Sequence, residues 1–233
     1  MVVLVSIRAQ TVDAQWMVGA YLGWAAPFKT NVRIDSPADG TRVQFDHLQF
    51  KTRSFENPLY YGLRAGRMFG DRFGAELEMT HLKIYADVDT PVTGTGTLRG
   101  IPLNGTLAPR SVVERLDVSH GLNMVLGNLV TRIPLRRDTT SRPHAALMAR
   151  FGIGPTLSHT EATVLGMDAE HYESGGIAMQ AAAGVEASVG AGFRVLGEYK
   201  YTYTRQHLSA GSARVDLSPV THHVVTGITY GFQ

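Results

Sequence analysis

The chain has 233 residues, with 18% charged residues, a formal net charge of +2, 25 glycines and no cysteine. No run approaches the roughly 18 apolar residues of a transmembrane helix. The missing thiols exclude disulfides, thiolate metal sites and a cysteine nucleophile, and so small a net charge gives no argument for nucleic acid as a partner.

Charge is below the roughly 25% usual in soluble domains and mean hydropathy is near zero, which fits a membrane β-barrel or a soluble β-sandwich. Residues 1–14 start apolar and reach Val12-Asp13-Ala14, a pattern tolerable at a cleavage site. They read as the remnant of an export signal or as an N-terminal extension, and 15–233 as the domain.

Eight segments then show strand character. Strand one, 15–26, places Trp16, Val18, Ala20, Leu22 and Trp24 on one face, and Met17, Gly19, Tyr21 and Gly23 on the other. The excursion 27–56 holds a possible hairpin around Ser36-Pro37-Ala38-Asp39-Gly40. Strand two, 57–69, sets Leu59, Tyr61, Leu63 and Ala65 against Tyr60, Gly62, Arg64 and Gly66. Strand three, 73–87, sets Ala75, Leu77 and Met79 against Glu76, Glu78 and Thr80. In strand four, 114–133, the polar row Arg115, Asp117, Ser119, Gly121 and Asn123 is expected inside. Its apolar row, Leu116, Val118, Leu122, Met124 and Leu126, is expected outside, with His120 on it unless a bulge shifts the phase.

Strand five, 144–158, alternates Ala145, Leu147, Ala149, Phe151 and Ile153 with Met148, Arg150, Gly152 and Gly154. Strand six, 177–189, sets Met179, Ala181, Ala183 and Val185 against Gln180, Gly184 and Glu186. Strand seven, 193–205, sets Val195, Tyr199, Tyr201 and Tyr203 against Arg194, Glu198, Lys200 and Thr202. The last strand reads His222, Val224, Thr226, Ile228, Tyr230 and Phe232 on its apolar face. A soluble chain seldom presents such an open edge, because an unpaired strand recruits others. Closure of the last strand onto the first removes it.

Short turns at 70–72, 134–143 and 190–192 alternate with long connections at 27–56, 88–112, 159–176 and 207–217. That rhythm belongs to an all-β, eight-stranded antiparallel up-and-down transmembrane barrel with short periplasmic turns and long outer loops. A soluble barrel would put its large apolar residues inside and leave the glycine-and-charge face to water on every strand. The inward rows carry Arg64, Glu76, Glu78, Arg150, Glu186, Arg194, Glu198 and Lys200, joined by Arg115 and Asp117. An eight-stranded lumen is just wide enough to be filled by side chains, and buried charges need partners. Arg64, Glu78, Arg150, Glu186, Glu198 and Lys200 are therefore expected to form an ion-pair network that plugs the barrel. Trp16, Trp24, Tyr199, Tyr201, Tyr203 and Tyr230 read as interface anchors.

Four blocks carry a family likeness: Tyr60-Tyr61-Gly62-Leu63-Arg64-Ala65-Gly66, the stretch from Glu78 through His81, Lys83 and Tyr85 to Asp87, His120-Gly121-Leu122-Asn123, and Gly197-Glu198-Tyr199-Lys200. Over nearly the whole chain they resemble the outer-membrane β-barrel superfamily with the OmpA-like eight-strand fold. The blocks of strands two to four also resemble a branch labelled lipid A oxidase. That resemblance implies oxygen-dependent oxidation of the proximal glucosamine of lipid A to aminogluconate, with no catalytic residue to carry over. The wider resemblance implies a bacterial outer-membrane monomer, with outer-membrane lipids and lipopolysaccharide around it. It also implies handling by the barrel-assembly machinery through the terminal strand. Two departures stand out: Arg67 occupies a usual aromatic position, and Gln233 follows Phe232 where such chains end on the aromatic.

On this plan His47, His81, His120, His159, His171, His207, His222 and His223 fall in the outer half or outer loops, and His144 at the periplasmic end. Imidazoles near Asp87, Asp117 or Glu173 can hold a transition metal or move protons, or simply belong to a polar surface. His81 and His120, on neighbouring strands, are the candidate catalytic pair. Parity turns both toward lipid, where a polar group is costly and often functional, and turns Glu78 away from His81. No His-Glu-x-x-His helix motif and no Gly-x-Ser-x-Gly elbow is present. The pairs Ser119-His120 and Ser158-His159 point their members to opposite faces. No cofactor is specified. The expected function is a structural or surface-interaction barrel, with a lipid A-modifying oxidase and a small-molecule channel as the two alternatives.

Overall fold

The computed structural model describes residues 14–137 and 143–232. Residues 1–13 of the export-signal reading, the centre of the turn 134–143, the side chains of His120 and His144, and Gln233 lie outside the described residues. No described helix is long and apolar enough to cross a membrane.

Fourteen strands follow in chain order. They are β1 (Ala14–Pro27), β2 (Thr30–Ser36), β3 (Thr41–Leu48), β4 (Phe50–Lys51), β5 (Tyr61–Phe69), β6 (Phe73–Ala86) and β7 (Val92–Leu98). Then come β8 (Ile101–Leu107), β9 (Val113–Arg137), β10 (Pro143–Val164), β11 (Met167–Gly190), β12 (Phe193–Ala210), β13 (Ala213–Leu217) and β14 (Val220–Phe232). Eight of them close a ring in the order β1, β5, β6, β9, β10, β11, β12, β14, every pair antiparallel. Closure is made by β1 on β14, from Trp16 opposite Phe232 to Pro27 opposite Thr221. The terminal strand therefore has no free edge, as its alternation required.

The two described periplasmic turns, at 70–72 and 190–192, are as tight as the sequence implies. Gly190, Ala191 and Gly192 all adopt positive φ (103°, 50° and 83°), a conformation that glycine permits at both flanking positions. Much of the outer connections is built as strand, with irregular stretches at 52–60 and 87–91. The segment 159–176 continues β10 and β11 to a two-residue turn at Leu165-Gly166, and 207–217 extends β12 and folds back as β13. The hairpin around Ser36–Gly40 is present as β2 and β3, and 88–112 contains β7 and β8. From the upper part of β12 the sheet runs on through β13, β2, β3, β7 and β8.

The outward rows predicted for strands one to three and five to eight are outward in the structure, Leu63, Leu77, Phe151, Met179, Val195 and Ile228 among the exposed apolar residues. Strand four is the exception. Leu116, Val118, Leu122, Met124 and Leu126 are buried inside, while Val125, Leu129 and Ile133 face out, Leu129 at 72% exposure. The inward places expected for Arg115 and Asp117 are thus corrected: the Arg115 side chain is half exposed on the outer wall. The physical reason is a change of surroundings along the barrel. Above the hydrocarbon band the wall meets water, so polar residues turn out and apolar ones turn in. Leu116, Val118, Leu122 and Met124 join Val32, Ile34, Val43, Phe45, Val164, Leu208, Val215 and Leu217 in one apolar core within the outer half. That core follows ordinary hydrophobic burial; the half below it holds ions.

Candidate functional site

Glu78 is the hub of the lower lumen. Its Oε1 accepts hydrogen bonds from the Tyr21 hydroxyl (2.6 Å), Lys200 Nζ (2.6 Å) and Arg64 Nη2 (3.1 Å). Its Oε2 accepts from Asn128 Nδ2 at 2.7 Å and Gln180 Nε2 at 2.6 Å. Glu198 accepts from Arg64 at 2.6 Å and from Arg150, and Arg150 also donates to Glu76 at 3.2 Å. Lys200 Nζ reaches the Tyr21 hydroxyl at 2.5 Å and Thr80 Oγ1 at 3.1 Å. The Arg64 guanidinium lies 4.5 Å from the Tyr21 ring centre, an attractive cation–π placement. Such mutual satisfaction is what makes buried charge tolerable.

The structure brings Arg64, Glu76, Glu78, Arg150, Glu198 and Lys200 together; it places Glu186 elsewhere. Gly184, not Glu186, lies opposite Glu198 in the β11–β12 ladder. Glu186 pairs instead with Arg132 at 2.8 Å and Arg194 at 3.4 Å, toward the periplasmic turn. Asn128 and Arg132 were missed because the phase of strand four was taken from its upper half. The run Asn128, Val130, Arg132 keeps the same parity as Leu126, and that was the available signal. At the top of the ionic layer His223 bonds Thr202 (2.9 Å) and stacks on Tyr60 with centroids 5.5 Å apart.

A second constellation occupies the outer wall where the apolar band ends. His81 faces outward, as parity requires, yet it is only 5% exposed. Its Nδ1 bonds Asn123 Oδ1 at 2.8 Å and its ring stacks on Tyr61 at 5.1 Å. Beneath it Gly121 has φ +121°, and a Cβ there would strike the imidazole. With the carbonyl oxygen of Asn123 accepting, Nδ1 is the donor of this pair. The His81 Nε2 is buried and has no hydrogen-bond partner among the described residues.

The ladder shows where His120 belongs. On β6 the register jumps from Leu82 opposite Leu122 to Ile84 opposite Val118; on β10 it jumps from Ser158 opposite Leu122 to Glu161 opposite Asp117. Residues 119–121 of β9 therefore bulge between Lys83 on one side and His159-Thr160 on the other. The proposed pairing of His81 with His120 rests on that backbone placement alone.

Further round the wall, His159 stands with Glu161 of its own strand and with Tyr172 and Glu170 of β11. Nδ1 lies 3.9 Å from Glu161 Oε1 and Nε2 lies 3.9 Å from Glu170 Oε1. The Tyr172 ring meets the imidazole edge-on at 4.4 Å. Arg115 pairs with Glu161 and, at 2.8 Å, with Asp117. Burial pushes the Asp117 carboxyl above its ordinary range, against the pull of Arg115. Tyr85, opposite Asp117, lies beneath the Arg53 guanidinium at 4.4 Å.

Ions are sealed within, and a continuous apolar band lies outside, with Trp16, Phe73, Phe193, Tyr230 and Phe232 toward its lower edge and Trp24, Phe28 and Tyr201 toward its upper edge. Only a bilayer rewards that inversion. The chain is an eight-stranded outer-membrane β-barrel.

Comparison with known proteins adds fold-level likenesses only. No family model and no curated protein matches the sequence. Among solved structures, the barrel is similar to Neisserial surface protein A at 10% identity and TM-score 0.45, covering 94% of this chain and 97% of that one. It is similar to Ail, the attachment invasion locus protein of Yersinia pestis, at 9% identity and TM-score 0.33, covering 91% and 97%. The outer membrane protease OmpT of Escherichia coli stands at 9% and 0.45, covering 95% and 98%.

Proposed function

We propose that this barrel is a non-conducting, monomeric surface-interaction protein that acts through its outer rim and the sheet above it, in contact with lipopolysaccharide. The observation that supports this reading is the filled interior: a bonded ionic layer below, headed by Glu78, and an apolar core above. Both layers fill the lumen with bonded or packed side chains, which favours this reading over a channel. The closed terminal ladder fits delivery by the barrel-assembly machinery through β14. The test of the interior is planar-bilayer recording at high salt. Silence is expected, and stepwise conductance would return the channel reading.

A second reading is favoured by His81. An oriented imidazole whose Nε2 has no hydrogen-bond partner among the described residues, set on the lipid side of the wall at the outer border, is placed to serve a lipid A-modifying oxidase. Mass spectrometry of lipid A from aerobic cells with and without the protein separates the two. Unchanged lipid A supports the surface-interaction role. A gain of one oxygen atom that disappears in His81→Ala overturns it in favour of the oxidase.

A further inference from the structure

We propose that His159, Glu161 and Glu170 form a binding site for one divalent transition-metal ion on the outer wall of the barrel, of the Zn2+ or Mn2+ class. The site does not depend on either functional reading. One donor atom from each residue lies within 4.8 Å of the others. His159 and Glu161 share a face of β10 two residues apart, and Glu170 is presented from β11.

Two observations point to a cation. First, Glu161 and Glu170 are directly opposite each other across the antiparallel ladder. Like charges in that position repel, and the only basic group facing Glu170 among the described residues is the His159 imidazole. Arg115 answers Glu161 but turns its other bond to Asp117. Second, the two imidazole–carboxylate separations, Nδ1 to Glu161 and Nε2 to Glu170, are each 3.9 Å, too long for hydrogen bonds. An ion uses one ring nitrogen, and with one donor atom per residue the three lie within 4.8 Å of one another. Ligands on one tetrahedral ion at about 2.1 Å each stand roughly 3.4 Å apart, so side-chain rotations that close up to about 1.4 Å bring them onto one ion.

The donor set selects the metal class. One imidazole and two carboxylates suit Zn2+, Mn2+ or Fe2+, whereas Mg2+ and Ca2+ prefer oxygen alone. Tyr172 fixes the plane of the imidazole from outside. His159 and Glu161 are each 8% exposed, but the Glu170 side chain is 70% exposed. The site is therefore backed by the wall and open on one side, leaving coordination positions for water or an anionic headgroup.

The experiment uses the untagged full-length barrel in detergent, stripped with chelator, then titrated with Zn2+ by calorimetry and with Mn2+ by paramagnetic resonance. One ion per chain is expected, with affinity falling at least about tenfold in Glu170→Gln and lost in His159→Ala; His222→Ala should bind as the parent does. Glu170→Gln alters an exposed side chain and keeps the fold. It also removes half of a repelling pair, so the metal-free variant should melt at or above the parent temperature while losing the stabilisation that metal gives. Absence of stoichiometric binding, or binding equal in Glu170→Gln and His159→Ala, overturns the site. Destabilisation of metal-free Glu170→Gln, with no metal effect in the parent, would identify a simple imidazolium–carboxylate pair instead.

Discussion

Removing the Glu78 carboxylate would strand Lys200, buried and with no other ion pair among the described residues, and would leave Arg64 to Glu198 and Glu76. Breaking a buried pair by deleting one partner costs about 3–5 kcal/mol. Glu78→Ala should lose that much in urea unfolding followed by tryptophan fluorescence in vesicles, and a loss near zero would mean that the lumen is wet. At the rim, Gly121 supports His81 from below in a conformation that side chains rarely adopt. Gly121→Ala should cost about 1–3 kcal/mol and shift the His81 ring resonances. Unchanged imidazole signals would remove Gly121 as the platform. Parity alone was enough to turn His81 outward. Its orientation by Asn123 was not legible, because the partner lies 42 residues away in sequence and only the ladder register brings it near.

Strands resolve the next question, which side of the wall meets what. β9 crosses both regimes: Leu129 and Ile133 face hydrocarbon, while Leu116 and Leu122 face the outer core. Alternation persists along the whole strand, but its meaning reverses at the membrane border, so a reading that begins at the wrong end inverts every residue. The same reversal hid the upper parts of β10 and β12, where polar residues such as Glu161 and Thr163 turn out and small apolar ones such as Ala162 and Ala210 turn in. Leu129→Arg should destabilise the barrel by about 2–4 kcal/mol, as expected for a cation at mid-bilayer, measured by the same vesicle assay. A neutral result would place Leu129 in water. Above the membrane, burial works against the Asp216 carboxylate, yet hydrogen bonds from His207 and Arg214 hold its pKa below the ordinary 3.8. A depressed carboxylate stabilises fully above its unfolded pKa and loses that contribution as pH falls through the folded value. Hydrogen exchange in the β12–β13 hairpin should therefore accelerate below about pH 4, and Asp216→Asn should flatten that dependence.

The molecule as a whole joins two kinds of protein end to end, an inverted barrel in lipid and an ordinary apolar core above it. The eight strands and their order were readable, because period-two patterning is a local property; charge parity pointed to Arg64, Glu78, Arg150, Glu198 and Lys200 but not to the pairing of Glu186 with Arg132. The outer core was not readable, since it is assembled from β2, β3, β13 and the strand tops, whose pairing depends on the β12–β13–β2 path through space. The rim cluster of His159, Glu161, Glu170 and Tyr172 was hidden for the same reason: its segment reads as a loop until the hairpin is seen to be one ladder.

The most direct check is a nitroxide scan of the outward positions of β10 from Leu147 to Thr163 in bilayers, comparing accessibility to oxygen with accessibility to a water-soluble nickel chelate. Oxygen should dominate through Leu157, the two should cross at His159, and the chelate should dominate at Glu161 and Thr163. Chelate access at Phe151 or Ile153, or oxygen dominance along the entire row, would contradict a barrel that is apolar outside in the membrane and polar outside above it.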